Sequence, residues 1–192
     1  MSYEQGSKTM YKILVADDEA WIRNALVKRI QSLPLDIEIA GQASDGQEAL
    51  ELSLQIQPDI IITDIKMPYF NGLEFIKKIR QLQLTAKIII ISGYADFEYA
   101  RTALGLGVSN YILKTIDNDT LNEILKEVIH QIEQESQKKE YLNALETKLI
   151  ERTHILQQNF FYQLLSGKMQ NEDYIQRVIS NLDLPFEMGN FF

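Results

Sequence analysis

The chain has 192 residues and no cysteine; 45% of its residues are hydrophobic, 24% are charged, and its formal net charge is −8. That length holds one domain with an appendage, or two small domains, around a core of ordinary size. The acidic balance argues against this stretch gripping a phosphate backbone by itself, and the missing thiols exclude disulfides and thiolate metal sites. No apolar run approaches the roughly 20 residues that span a bilayer, and nothing resembles a signal peptide, so the expectation is a cytoplasmic protein without membrane contact.

Residues 1–10, MSYEQGSKTM, are polar and aperiodic and are expected to be disordered or foreign to the fold. Lys12 to Ala16 (KILVA) reads as a first buried strand ending in Asp17-Asp18-Glu19. Ile22, Ala25, Leu26 and Ile30 follow at helical spacing, which predicts a helix over 19–32 whose acidic start suits its dipole. Trp21, in that first turn, is expected to be partly in the core with a view of the site. Ile37 to Ala43 alternates as a second strand, and Asp45-Gly46 opens a second helix that Pro58 closes.

The stretch Ile60 to Pro68 (IIITDIKMP) organises the rest. Its β-branched run predicts a strand buried on both faces, of the kind found in parallel sheets, and Asp64 stands where it emerges. Pro68 and Asn71-Gly72 force a loop before a third helix carrying Leu73, Phe75, Ile76 and Ile79. Ala86 to Ile91 predicts a fourth strand ending at Ser92-Gly93, Phe97 to Leu104 a fourth helix, and Val108 to Leu113 a fifth strand ending at Lys114.

Five strand–helix alternations with short connections predict an α/β flavodoxin-like (βα)5 doubly wound parallel sheet of strand order 2-1-3-4-5. Strands 1 and 3 are then neighbours, and Asp17, Asp18 and Asp64 meet in one crevice. No glycine-rich phosphate loop follows strand 1, which counts against a dinucleotide or P-loop site. Residues 119–166 contain neither proline nor glycine. Leu121, Leu125, Val128 and Ile132 form one stripe, Leu142, Leu145, Leu149, Leu156 and Phe160 another, and Glu135 and Lys139 interrupt the seam between them. One unbroken helix of this length would reach roughly 70 Å and needs a packing partner for its stripe. A short further helix is expected over 172–182, and the terminal Gly-Asn-Phe-Phe reads as the opening of a segment beyond this chain.

Three converging carboxylates repel one another, and a divalent cation resolves that conflict; an all-oxygen set that shares its ion with phosphate suits Mg2+. Lys114 and the Ser92 hydroxyl at neighbouring strand ends add a cation and a donor. The set suits phosphoryl transfer onto Asp64. As a competing reading, Asp17 and Asp18 could cap the first helix and Ser92 could be an ordinary turn residue.

Together, VADDE, ITDIKMP, IISGYADFEYA and NYILK resemble the receiver domain of two-component response regulators over residues 11–125. SGYADFEYARTAL and the tail around FYQLLSGK are similar to receivers, and their linker helices, in AraC-type transcription factors. The resemblance implies a receiver over 11–130 and a helical linker over 131–192, with an effector domain outside this chain. It implies Asp64 as phosphoacceptor, Asp17, Asp18 and the Lys66 carbonyl as further Mg2+ ligands, Lys114 as the phosphate-binding lysine, and Ser92 and Tyr111 as switch residues. Its implied partners are a sensor histidine kinase and, through the effector alone, DNA. The apolar stripes leave two readings open, intrachain packing and a homodimer through helix 4, strand 5, helix 5 and the long helix. His130 and His154 are not expected to carry phosphate. Lys66 and Tyr94, which flank the site, are not suited to orient a hydrolytic water, so a long-lived phosphoryl group is expected. The family's proline after the lysine is replaced by Thr115, and a cis bond there would cost about 2.5–4 kcal/mol. A trans bond, a rearranged loop and Lys114 still aimed at the acids are therefore expected. The alternative function is a pseudo-receiver, an unphosphorylated dimerisation or binding scaffold.

Overall fold

The computed structural model of the chain describes residues 10–93 and 97–167 together with Ile175, Arg177 and Val178. Five strands are present: β1 (Tyr11–Ala16), β2 (Ile37–Ala43), β3 (Ile60–Thr63), β4 (Lys87–Ser92) and β5 (Asn110–Leu113). They alternate with α1 (Ala20–Gln31), α2 (Gly46–Ile56), α3 (Gly72–Gln81), α4 (Phe97–Gly105) and α5 (Asn118–Leu165). All pairings are parallel and the sheet order is β2-β1-β3-β4-β5, the order expected from the strand–helix alternation.

Side chains alternate across each strand, so every buried strand serves two cores. Leu14, Ile61, Ile88 and Ile90 pack with Ala49 of α2, Phe75, Ile76 and Ile79 of α3, and Ala103 of α4. Ile13, Val15, Ile60, Ile62, Ile89 and Ile91 face the other way, onto Leu26, Val27 and Ile30 of α1 and Leu121, Leu125 and Val128 of α5. This two-sided demand is why the strands read as unbroken apolar runs.

Local chemistry sets the helix boundaries. Asn71 and Glu74 form a reciprocal capping box at α3, and Asp45 accepts from the amides of Gln47 and Glu48 at α2. α2 ends where Gln57 turns left-handed, one residue before Pro58. Contrary to the expected acidic start, α1 has no acid in its first turn and its N-cap, Glu19, makes no side-chain cap bond. β5 begins at Asn110 rather than Val108, because the amide of Ser109 already bonds the Ile88 carbonyl outside the ladder.

Contacts divide the chain into two units, Met1–Gln134 and Glu135–Phe192. The first α5 stripe lies in the first unit and is fully buried at Leu121, Leu125 and Val128. In the second unit Leu142, Leu145, Leu149 and Leu156 are exposed, while Phe160 is buried. Of the helix expected over 172–182, only Ile175, Arg177 and Val178 fall within the described residues, and the terminal Gly-Asn-Phe-Phe lies outside them.

Candidate functional site

The site is assembled by register. Ala16 and Thr63 pair as the last residues of β1 and β3, so Asp17 and Asp64 leave neighbouring strand ends. Their backbones are tied there, Asp64 N–H donating to the Ala16 carbonyl (2.9 Å) and Asp17 N–H to that of Ala43 (3.1 Å). Ser92 and Leu113 likewise pair at the ends of β4 and β5, and Lys114 N–H donates to the Ser92 carbonyl at 2.8 Å.

β5 stands two strands from β3, about 10 Å away at ordinary strand spacing. Only a long side chain bridges that gap. The Lys114 stem runs past Gly93, where an added Cβ would lie 3.9 Å from its Cδ. Its Nζ reaches Asp64 Oδ2 at 2.7 Å and Asp17 Oδ2 at 2.9 Å, with Glu19 Oε1 at 3.6 Å. The remaining oxygens are also engaged: Asp64 Oδ1 accepts the Ile65 N–H (2.6 Å) and Asp17 Oδ1 the Glu19 N–H (2.9 Å).

Asp17, Asp64 and Ser92 are buried at 3%, 6% and 1% exposure, so the ion pairs are shielded from screening. Burial disfavours the Lys114 charge, but the hydrogen bonds and charges of Asp64 and Asp17 outweigh it and push its pKa up to about 12. Burial also raises Asp17, against the opposing pull of Lys114 and the Glu19 amide. The ammonium is thus charged at neutral pH.

Asp17, Asp18 and Glu19 offer carboxylate oxygens that all lie within 4.8 Å of one another. An all-oxygen set of this spacing fits a hard divalent cation. Glu19, expected only as a helix start, joins these acids. Capping of α1 by Asp17 is excluded, since that carboxylate serves Glu19 N–H and Lys114 instead.

The β3–α3 loop closes tightly over Asp64. Gly72 N–H donates to the Ile65 carbonyl at 2.7 Å, and a Cβ on Gly72 would lie 2.1 Å from the Asp64 carbonyl oxygen. Glycine is therefore required by proximity rather than by dihedral. Tyr69 in the same loop is left-handed at φ 61° and exposed, unusual for an aromatic residue. Lys66 is exposed at the start of that loop, Tyr111 is half-buried against the α2–α4 side of the core, and Tyr94 lies outside the described residues.

Trp21 is not partly in the core as expected: it is 71% exposed, it lines a surface cavity with Ile91 and Lys114, and its Nε1–H donates to Glu19 Oε2 at 3.3 Å. The Lys114–Thr115 peptide is trans, since no cis bond occurs among the described residues, and Lys114 still reaches both acids. Two arginines of α1 escaped sequence reasoning. Arg23 donates to the Asp17 carbonyl (2.5 Å), and Arg29 to the Ile116 carbonyl and the Asn118 side chain. The helical period places both on α1, but nothing in the sequence pairs them with loops that precede the helix or follow β5. His130 and His154 are exposed on α5. No helix among the described residues is long and apolar enough to cross a membrane.

Comparison with known proteins agrees with this architecture. Residues 13–126 match the response regulator receiver domain family. The transcriptional regulatory protein YesN of Bacillus subtilis, itself uncharacterized, is 34% identical over 161 residues, covering 84% of this chain and 44% of that protein. The transcriptional regulatory protein HptR of Staphylococcus aureus is 38% identical over 129 residues, 67% of this chain and 50% of that one. The chain thus spans about half the length of the curated relatives it matches. The solved receiver domain of AraT, a response regulator of Geobacillus stearothermophilus, is 38% identical and superposes with a TM-score of 0.62 over 67% of this chain and 99% of that one. With the receiver model matched over residues 13–126, more than half of the chain, and the strand order β2-β1-β3-β4-β5 present, the chain belongs to the response regulator receiver family.

Proposed function

We propose that this chain is a phosphorylation-dependent switch, taking a phosphoryl group on Asp64 from a sensor histidine kinase and passing the signal through α5 to a transcriptional effector. The observation that carries the reading is the Lys114 ammonium held between Asp64 and Asp17 at the mouth of the parallel sheet. An Asp64 oxygen attacks phosphorus in line, the new P–O bond forms as the P–N bond breaks, and that electron pair stays with the imidazole. Lys114 turns from the free carboxylate to the equatorial phosphoryl oxygens, and Ser92 donates to another. Asp17, Asp18, Asp64 and the Lys66 carbonyl would hold Mg2+, which when bound neutralises charge on the phosphoryl oxygens.

On this reading the chain is not an enzyme acting on other molecules but a receiver that assists its own phosphorylation and dephosphorylation. Residues 11–130 would serve as the receiver and 131–192 as a linker to the effector. Ser92 and Tyr111 turn toward the phosphoryl group and reshape the face of α4, β5 and α5, where a second copy packs. DNA is met only through an effector domain, and the setting is cytoplasmic. The pseudo-receiver alternative drew its motive from Thr115; the trans peptide with Lys114 on both acids weakens it.

Incubation with acetyl phosphate and Mg2+, followed by intact mass, tests the proposal. A gain of one phosphate is expected, absent in Asp64→Asn. No gain in the unaltered chain would leave the scaffold reading.

A further inference from the structure

The loop between β5 and α5 must aim Lys114 across two strand spacings, yet Thr115, not a ring-restrained proline, follows that lysine. It is short. The Ile116 N–H closes a turn onto the Leu113 carbonyl at 3.0 Å with Thr115 inside it, and Asp117 then opens α5 by accepting the Thr120 N–H at 2.7 Å. Thr115 is exposed, so its side chain adds no packing to replace a proline ring.

The restraint comes from across the molecule. Arg29, in the last turn of α1, extends its guanidinium to this loop and makes two hydrogen bonds on it. Its terminal nitrogen donates to the Ile116 carbonyl at 2.7 Å, and its Nε donates to Asn118 Oδ1 at 2.6 Å. These contacts join residues 87 and 89 positions apart, and they hold both the carbonyl that leaves the turn and the first residue of α5. The planar fork fixes two acceptors at once, which a lysine ammonium at this position would not reproduce. Arg29, Ile116 and Lys114 also share the wall of one cavity of about 190 Å³ beside α1, so the clamp stands next to the lysine it steadies.

We infer that Arg29 is a positioning residue: it clamps the β5–α5 loop to α1 and so keeps the Lys114 ammonium on Asp64 in a receiver without the loop proline. The inference rests on the phosphoacceptor reading for its consequence in catalysis, but the placement of Lys114 can be read without phosphate.

The test compares Arg29→Met, which keeps the stem and loses the donors, and Arg29→Lys, which keeps the charge, each confirmed as folded by its unfolding transition. In the unaltered chain the Lys114 ammonium, held by two carboxylates, is expected to give its own proton–nitrogen NMR signal at low temperature, and both variants are expected to lose it. With acetyl phosphate and Mg2+, both should take up phosphate roughly tenfold more slowly, as small displacements of a catalytic group do. In a Lys114→Ala background, Arg29→Met should change the rate by less than about twofold, since a residue acting through Lys114 has nothing left to position. Retention of the ammonium signal in Arg29→Met overturns the inference, as does an equal rate loss with and without Lys114. If the unaltered chain takes no phosphate at all, the phosphoacceptor reading fails, and the NMR signal alone decides Arg29.

Discussion

Lys114 holds the site together, because two buried carboxylates share its charge. Removing one partner of such a group leaves the others uncompensated, typically at about 3–5 kcal/mol. Lys114→Ala should therefore lower the thermal midpoint in metal-free buffer, and millimolar Mg2+ should restore more of it than it adds to the unaltered chain. Equal Mg2+ effects in a pair of unfolding scans would count against that sharing. Trp21 reports on the same acids: its indole donates to Glu19, one of the three clustered carboxylates. Mg2+ held by the neighbouring Asp17 and Asp18 would shift the field around this bond, so tryptophan emission should change on titration and stay flat in Asp18→Asn. Gly72 acts by proximity alone. An alanine Cβ 2.1 Å from the Asp64 carbonyl would push the loop away, with overpacking costs of about 1–3 kcal/mol in denaturant unfolding.

The element that concentrates these demands is the β5–α5 connection. Asp117 accepts both the amide and the hydroxyl of Thr120 at the start of α5. The Thr120 amide bond, then that of its hydroxyl, holds the Asp117 carboxyl below the usual carboxylate range. A depressed acid contributes stability that is fully present above its unfolded pKa, near 3.8, and is lost as pH falls through the lower folded value. Amide exchange at Thr120 should therefore lose protection below about pH 4, and Asp117→Asn, which still caps but does not titrate, should remove that dependence. Thr115→Pro bears on the same connection. Proline disfavours helical dihedrals in the residue before it, here Lys114, so the substitution should disturb the loop rather than raise the thermal midpoint. A clear rise in the midpoint would contradict this account of the loop.

At the scale of the whole molecule the two parts of α5 differ in their surroundings. Its first turns bury Leu121, Leu125 and Val128 completely, whereas Leu142, Leu145, Leu149 and Leu156 stand exposed in the second unit. Exposed apolar residues in a heptad-like series are unusual on a monomer and fit a seam with a second helix. Light scattering is expected to give twice the chain mass with Mg2+ and beryllofluoride, and a single chain mass for Leu149→Glu combined with Leu156→Glu. One chain mass for the unaltered protein in both states would remove dimerisation from the mechanism.

Sheet order, the strand-end acids and the first α5 stripe were legible in the residues, because a strand buried on both faces and a helix on one leave periodic signatures. Asp64 followed from a β-branched run ending in an acid before Pro68, and Lys114 from its place at the end of the fifth predicted strand. The trans loop at Thr115 was legible as well, from the cost of the alternative. Other features depend on partners distant in the chain. Trp21 lies outside the core, at a surface cavity beside Lys114, a phase that one sparse apolar stripe does not settle. Glu19 belongs with Asp17 and Asp18 because Asp17 turns back to take its amide. Arg23 and Arg29 read as ordinary helix charges until folding sets α1 beside Asp17 and the β5–α5 loop. Local periodicity encodes which face of an element is apolar; the partner of a long polar side chain depends on which distant backbone folding brings within hydrogen-bond reach.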